Sequence, residues 1–186
     1  YRSGADEIHL QIQKQTIHDE KNEQEVDIHE FLRSVTGQCI GMEIVKNTPS
    51  VYVLKEISLV KQDEFATIFR RIFFSLNVMF DDLIDSVKNK DDEKIKYIAQ
   101  HADIQINRFT DYCIRVLAKT RNETLMLSNV ISRLEEIGDS LKHLAMHILE
   151  KNLTADLIDF IKELKTFFSL MEKFYFTGSR QDLFAL

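Results

Sequence analysis

The chain has 186 residues, enough for one domain with a full core or for two small ones. Its 44% apolar and 29% charged residues are the balance of a folded soluble protein and exclude a disordered chain. A formal charge of -6 repels phosphate backbones and argues against nucleic-acid binding through this chain, while one proline and five glycines leave little to interrupt long helices.

The first element is EIHLQIQ, where Ile8, Leu10 and Ile12 alternate with His9, Gln11 and Gln13. That period of two predicts a half-buried strand. NEQEVDIHEFLRSVTG follows and predicts a helix, with Val26, Ile28, Phe31, Leu32 and Val35 on its inner face and a stop at Gly37. CIGMEIVK and VYVLKEIS flank the turn NTPS as the strands of a hairpin. The order β-α-β-β lays one helix across a small sheet.

After Ser58 the period becomes helical. A first long helix carries Phe65, Phe69, Ile72, Leu76, Met79, Leu83 and Val87 at alternating spacings of four and three. A second repeats the pattern through Ile95, Ala99, Ala102, Ile106, Phe109, Cys113 and Val116, and a third through Leu127, Val130, Leu134, Ile137, Leu141, Leu144 and Ile148. Such seams predict a helical bundle, and the short links KNKDD and KTRNE make its neighbours antiparallel. A fourth helix, about residues 154–174 with Thr154 as N-cap, is apolar on more than one side and asks for cover on most of them. The Asn-x-Thr triplets at Asn122 and Asn152 read as helix entries. DLFAL reads as the start of another helix and YRSGADE as the tail of one. Both ends look cut, so the chain is expected to be a piece of a longer protein, a dimer, or both. No apolar run reaches the ~18–20 residues of a membrane span, and no signal peptide opens the chain. Cys39 and Cys113 sit in apolar patterns and read as reduced core thiols in a cytoplasmic protein.

One stretch asks for more than packing. RLEEIGDSLKHLAMH strings Glu135, Asp139, His143 and His147 four residues apart, on a row turned away from the Leu134/Ile137/Leu141 seam. Asp103, Asn107 and Asp111 make a matching outward row on the preceding helix. Side by side, two such rows can hold iron, zinc, manganese or nickel. They can equally be solvated faces, with Lys142 pairing Asp139 three residues away. Gly138 costs its helix about 1 kcal/mol relative to alanine, so a close neighbour must need the missing side chain. No Glu-x-x-His pair, Gly-rich phosphate loop, Ser/His/Asp set or catalytic-cysteine context occurs, so no enzyme is expected. No arginine cluster opens a helix to take phosphate directly.

SRLEEIGDSLKHLA resembles the signature stretch of the PhoU family of phosphate-uptake regulators, and DIQIN, from Asp103 to Asn107, resembles its partner on the preceding helix. The front of the chain, YRSGADEI and GMEIVKNTPSVYVLKEIS, is similar to the family's archaeal branch. The resemblance implies a mainly α fold. Residues 1–58 would be a small αβ linker and dimerisation segment, 59–150 a first antiparallel three-helix bundle, and 151–186 the beginning of a second. It also implies an AbrB-type DNA-binding domain preceding this segment, so that DNA would be bound there and not through this chain. The implied function is restraint of phosphate uptake through the phosphate ABC transporter or a signalling partner, as a cytoplasmic homodimer without membrane insertion. The resemblance carries ligation of iron or zinc to Asp103, Glu135 and Asp139, with Asn107 standing where the family has its closing carboxylate; His143, one turn on from Asp139, is added to the candidate metal set from its place in the row. This sequence departs from the pattern at Asn107, where the family has aspartate, at Glu136, where it has arginine, at Ser140, where it has histidine, and at His143, where it tends to asparagine. A metal-free adaptor or the dimerisation module of a transcription regulator is the alternative, its acidic faces, FDDLID among them, docking on a basic partner.

Overall fold

The computed structural model describes residues 1–19, 23–58, 62–120, 125–151 and 155–178. Their order is β1 (Glu7–Gln11), β2 (Thr16–Asp19), β3 (Gln24–Asp27), α1 (Ile28–Gln38), β4 (Met42–Asn47), β5 (Val51–Glu56), α2 (Gln62–Asn89), α3 (Asp92–His101), α4 (Ile104–Thr120), α5 (Leu125–Lys151) and α6 (Ala155–Thr177). The fold is mainly α, as the periodicity predicts. Two compact units share it: Tyr1–Ile68 with Asp111–Ser128, and Phe69–Thr110 with Asn129–Leu186. The proposed helix start at Thr154, the Asn122 and Asn152 triplets and the DLFAL helix lie outside the described residues.

The first unit is built on an antiparallel sheet in the order β1-β5-β4. Ile8 stands opposite Leu54 and Leu10 opposite Tyr52, so the alternation in EIHLQIQ turns one face inward. Ile28, Leu32, Met42, Tyr52 and Leu54 form the buried cluster, with Ile8, Leu10 and Ile12 packed on it. Three readings of this region are corrected. Residues before Asp27 do not join the helix: Val26 pairs with Ile17 in a second hairpin, β2–β3. Asp27 ends that strand and caps α1, accepting from the backbone N–H of His29 at 2.8 Å and of Glu30 at 3.2 Å. The inner face of α1 is Ile28, Leu32 and Thr36, whereas Phe31 and Val35 are about two-fifths exposed, at 41% and 40%. Gly37 lies inside the helix, and the reversal falls at Gly41, whose φ of 82° is open to glycine and strained for other residues.

In the second unit the predicted seam of α2 is buried from Phe69 to Val87. The second bundle helix is not continuous: α3 ends at His101 and α4 starts at Ile104. Asp103 stands at the break, where its carbonyl accepts from the Asn107 N–H at 2.9 Å, and an aspartate is well suited to the residue that opens a helix. On α5 the buried face is Ile131, Leu134, Leu141, Ala145 and Ile148, one step round from the predicted seam, so Ile137 and Leu144 are only half-buried. Helix α6 lies along α2. Phe168 packs on Phe73 and Phe80 with ring centroids 5.7 and 5.6 Å apart, and Phe176 meets Phe73 edge-on at 5.2 Å. Asn77 donates to Glu172 at 2.7 Å, and Lys165 pairs with Asp81. Within α6, Ile161 and Phe168 are buried, while Phe160, Leu164 and Phe167 remain exposed.

Candidate functional site

Within the second unit Asp103 of the α4 row is held by a salt bridge to α5, from a residue outside that helix's acidic row. Asp103 is 3% exposed, so the outward orientation expected of its row does not hold there. A buried carboxylate is costly without a partner. Lys142 supplies it, reaching from α5 to donate from Nζ to Asp103 Oδ2 at 2.6 Å. Lys142 is therefore not the surface partner of Asp139 that its spacing suggests. Asn107 Nδ2 points at the same carboxylate oxygen from 3.5 Å, one helical turn along α4. Its own amide oxygen is buried with no hydrogen-bond donor.

The remaining predicted site residues grade outward along α5: Glu135 and Asp139 are half-buried, His143 and His147 exposed. His147 lies 3.4 Å from Glu150 on its own helix. Asp111 belongs to the first unit, where it pairs with Arg2, so the row Asp103–Asn107–Asp111 is divided between the units. Among the described residues no group of three or more His, Cys, Asp or Glu side chains is arranged to hold a metal ion. Acidic residues of FDDLID carry cations of their own: Lys165 on Asp81, and Lys94 on Asp82 at 2.6 Å.

The close approach expected at Gly138 is present. A Cβ there would stand 3.1 Å from Ile106 Cδ1, 3.5 Å from Ile106 Cγ2 and 3.6 Å from Leu76 Cδ2. Glycine lets α5 come down onto α2 and the start of α4 beside the Asp103–Lys142 pair, which fixes the reach of the lysine. An apolar cleft of about 290 Å³ opens between α2, α5 and α6, lined by Phe80, Ile137, Leu144, Leu164, Phe167 and Met171. The Ile137/Leu144 side of α5 thus faces this cleft.

Residues 69–148 match the PhoU domain. The match supports the PhoU family for this chain and spans less than half of it. It covers α2 from Phe69, all of α3 and α4, and α5 as far as Ile148, and so contains both acidic rows, Gly138 and Lys142. No curated protein and no solved structure matches the chain. Within the matched residues the two motif stretches DIQIN and SRLEEIGDSLKHLA are joined by the Asp103–Lys142 ion pair and by the close approach of Ile106 to Gly138.

The sequence reading missed Arg115. It is fully buried in the first unit, donating from Nη1 to the Tyr1 carbonyl and from Nη2 to the Ala5 carbonyl, both at 2.9 Å. Glu56 lies 3.2 Å from Nη2, and the guanidinium carbon sits 4.8 Å from the Tyr1 ring centre. Lys119 joins Asp6 and Glu56 to the same cluster. The signal available was an arginine among Tyr112, Cys113, Val116 and Leu117, a stretch of α4 apolar all round. Cys39 and Cys113 are free thiols, and burial pushes the Cys113 thiol up to about 12. Among the described residues no helix is long and apolar enough to cross a membrane.

Proposed function

We propose that this chain is a regulator of phosphate uptake that acts by binding a protein partner, either a component of the phosphate ABC transporter or a signalling protein. The match of residues 69–148 to the PhoU domain carries the reading. The exposed apolar side of α6 and the cleft beside it support a binding mode of action. The family match favours a regulatory reading over an enzymatic one. We place the protein in the cytoplasm as a homodimer of the archaeal branch, with DNA contacted through an AbrB-type domain that precedes this segment.

A photo-crosslinker placed at exposed Phe167 or Met146 tests this in phosphate-replete cells. Enrichment of a phosphate-transporter subunit or a sensor protein is the expected result, and labelling indistinguishable from that of a crosslinker at exposed Lys88 refutes it. A metal-assisted version, with iron or zinc on Asp103, Asn107, Glu135, Asp139 and His143, competes with the metal-free one. The Lys142 ammonium, 2.6 Å from Asp103 Oδ2, favours the metal-free version.

A further inference from the structure

We propose that Lys142 is the resident cation of the acidic rows: its ammonium holds the position a divalent metal would take on Asp103, so this face works without iron or zinc. The geometry is direct. Nζ lies 2.6 Å from Asp103 Oδ2, and Asn107 Nδ2 approaches the same oxygen. A transition metal approaching Oδ2 along the direction Lys142 takes would sit about 2.0–2.2 Å from it, inside the volume the ammonium fills. Sharing the carboxylate would put a divalent ion against a fixed positive charge, and in a buried setting that repulsion is weakly screened. Asn107 adds a neutral donor where a metal site gains from a charged one, so the row offers less negative charge to pay back the dehydration of an ion.

Burial explains why the ammonium belongs there permanently. The Asp103 side chain is only 5% exposed, and an unpaired carboxylate in that position would destabilise the fold. Lys142 enters from the rim, with its side chain 24% exposed, so its stem crosses the apolar surface while its charge reaches inward. The pair ties the α3–α4 break to α5 at all times. Coupling between the two motif stretches is then constitutive and independent of metal supply. This inference concerns the cation alone and stands whether or not phosphate uptake is what the protein regulates.

The test uses the whole chain and four proteins: wild type, Asp103→Asn, Lys142→Met and the double variant. Each is measured for bound metal by elemental analysis, and for its melting midpoint with and without added Zn²⁺, Mn²⁺ or Fe²⁺. The wild type is expected to carry no metal that depends on Asp103, and its midpoint is expected to stay put with Mn²⁺. Lys142→Met should melt lower and recover part of the loss when a divalent ion is added. The double variant should melt above Lys142→Met and ignore the ion. Metal in the wild type near one ion per chain, lost on Asp103→Asn, overturns the proposal. So does a Lys142→Met protein as stable as the wild type. If Lys142→Met does not fold, the comparison of wild type with Asp103→Asn and with Lys142→Arg still decides. The arginine variant is expected to stay metal-free.

Discussion

Replacing Gly138 by alanine sets two effects of similar size against each other, and the structure says how to separate them. Removing a mid-helix glycine favours the helix by about 1 kcal/mol. The new methyl would meet Ile106 Cδ1 at 3.1 Å, and Ile106 cannot swing clear, because it is fully buried and its Cγ2 already stands 3.5 Å away. Overpacking of this kind costs roughly 1–3 kcal/mol, so Gly138→Ala in the wild type should lower stability by about 1 kcal/mol. Ile106→Val deletes Cδ1, the atom in conflict, at its own cost of about 0.5–1.5 kcal/mol. In that background Gly138→Ala should stabilise by about 1 kcal/mol, as its helix propensity alone dictates. The coupling between the two substitutions is then about 2 kcal/mol, read from urea unfolding followed by circular dichroism in a double-mutant cycle. An equal effect of Gly138→Ala in both backgrounds would refute the close-approach argument.

Further outcomes follow from the first unit. Arg115→Met removes the donor of the Tyr1 and Ala5 carbonyls and leaves Glu56 to Lys119 alone, and should cost about 2 kcal/mol or more in denaturant unfolding; a loss under about 0.5 kcal/mol would mean the cluster is not closed in solution. Native Cys113 should resist alkylation at pH 8, since burial raises its pKa to about 12, while half-buried Cys39 reacts first; mass spectrometry of the labelled peptides distinguishes them. The Asp6 carboxyl is held below its ordinary value by its hydrogen bond from Lys119, and Glu7 by its hydrogen bond with His9. Both folded values lie below the unfolded ones, so their contribution is present above the ordinary carboxylate range and lost as pH falls through it. Asp6→Asn should flatten the acid limb of the melting curve, and an unchanged limb would count against the Lys119 contact.

Legibility tracked how much apolar surface each element buries. The seam of α2 and the alternation of β1 buried enough to leave a period in the sequence, while on α5 the period marked the helix but set its buried face one step off. The β2–β3 hairpin did not, because TIHD and QEVD each supply one apolar residue, Ile17 and Val26, to the pairing. A capping signature was nonetheless visible there: Asp27 precedes Glu30 by three residues, which marks a helix start at Ile28 and not before it. The break at Asp103 was hidden by an unbroken spacing from Ile95 to Val116, since two residues of irregular backbone barely shift the phase of a helix. At the site, Gly138 announced a close neighbour correctly, because its cost is paid locally. The destination of Lys142 could not be read, because spacing along one helix says nothing of a carboxylate buried on another. Arg115 was passed over for the same reason: its partners Tyr1, Ala5 and Glu56 are far away in sequence.

The most direct test of the account is phosphate uptake itself. Radiolabelled phosphate entry would be followed in cells lacking this protein, grown in abundant phosphate, and in cells given back either the wild type or the Asp103→Asn/Lys142→Met variant. The account predicts faster uptake without the protein and restraint restored by the wild type in medium depleted of iron and zinc. Uptake that is unchanged by the loss of the protein would contradict it.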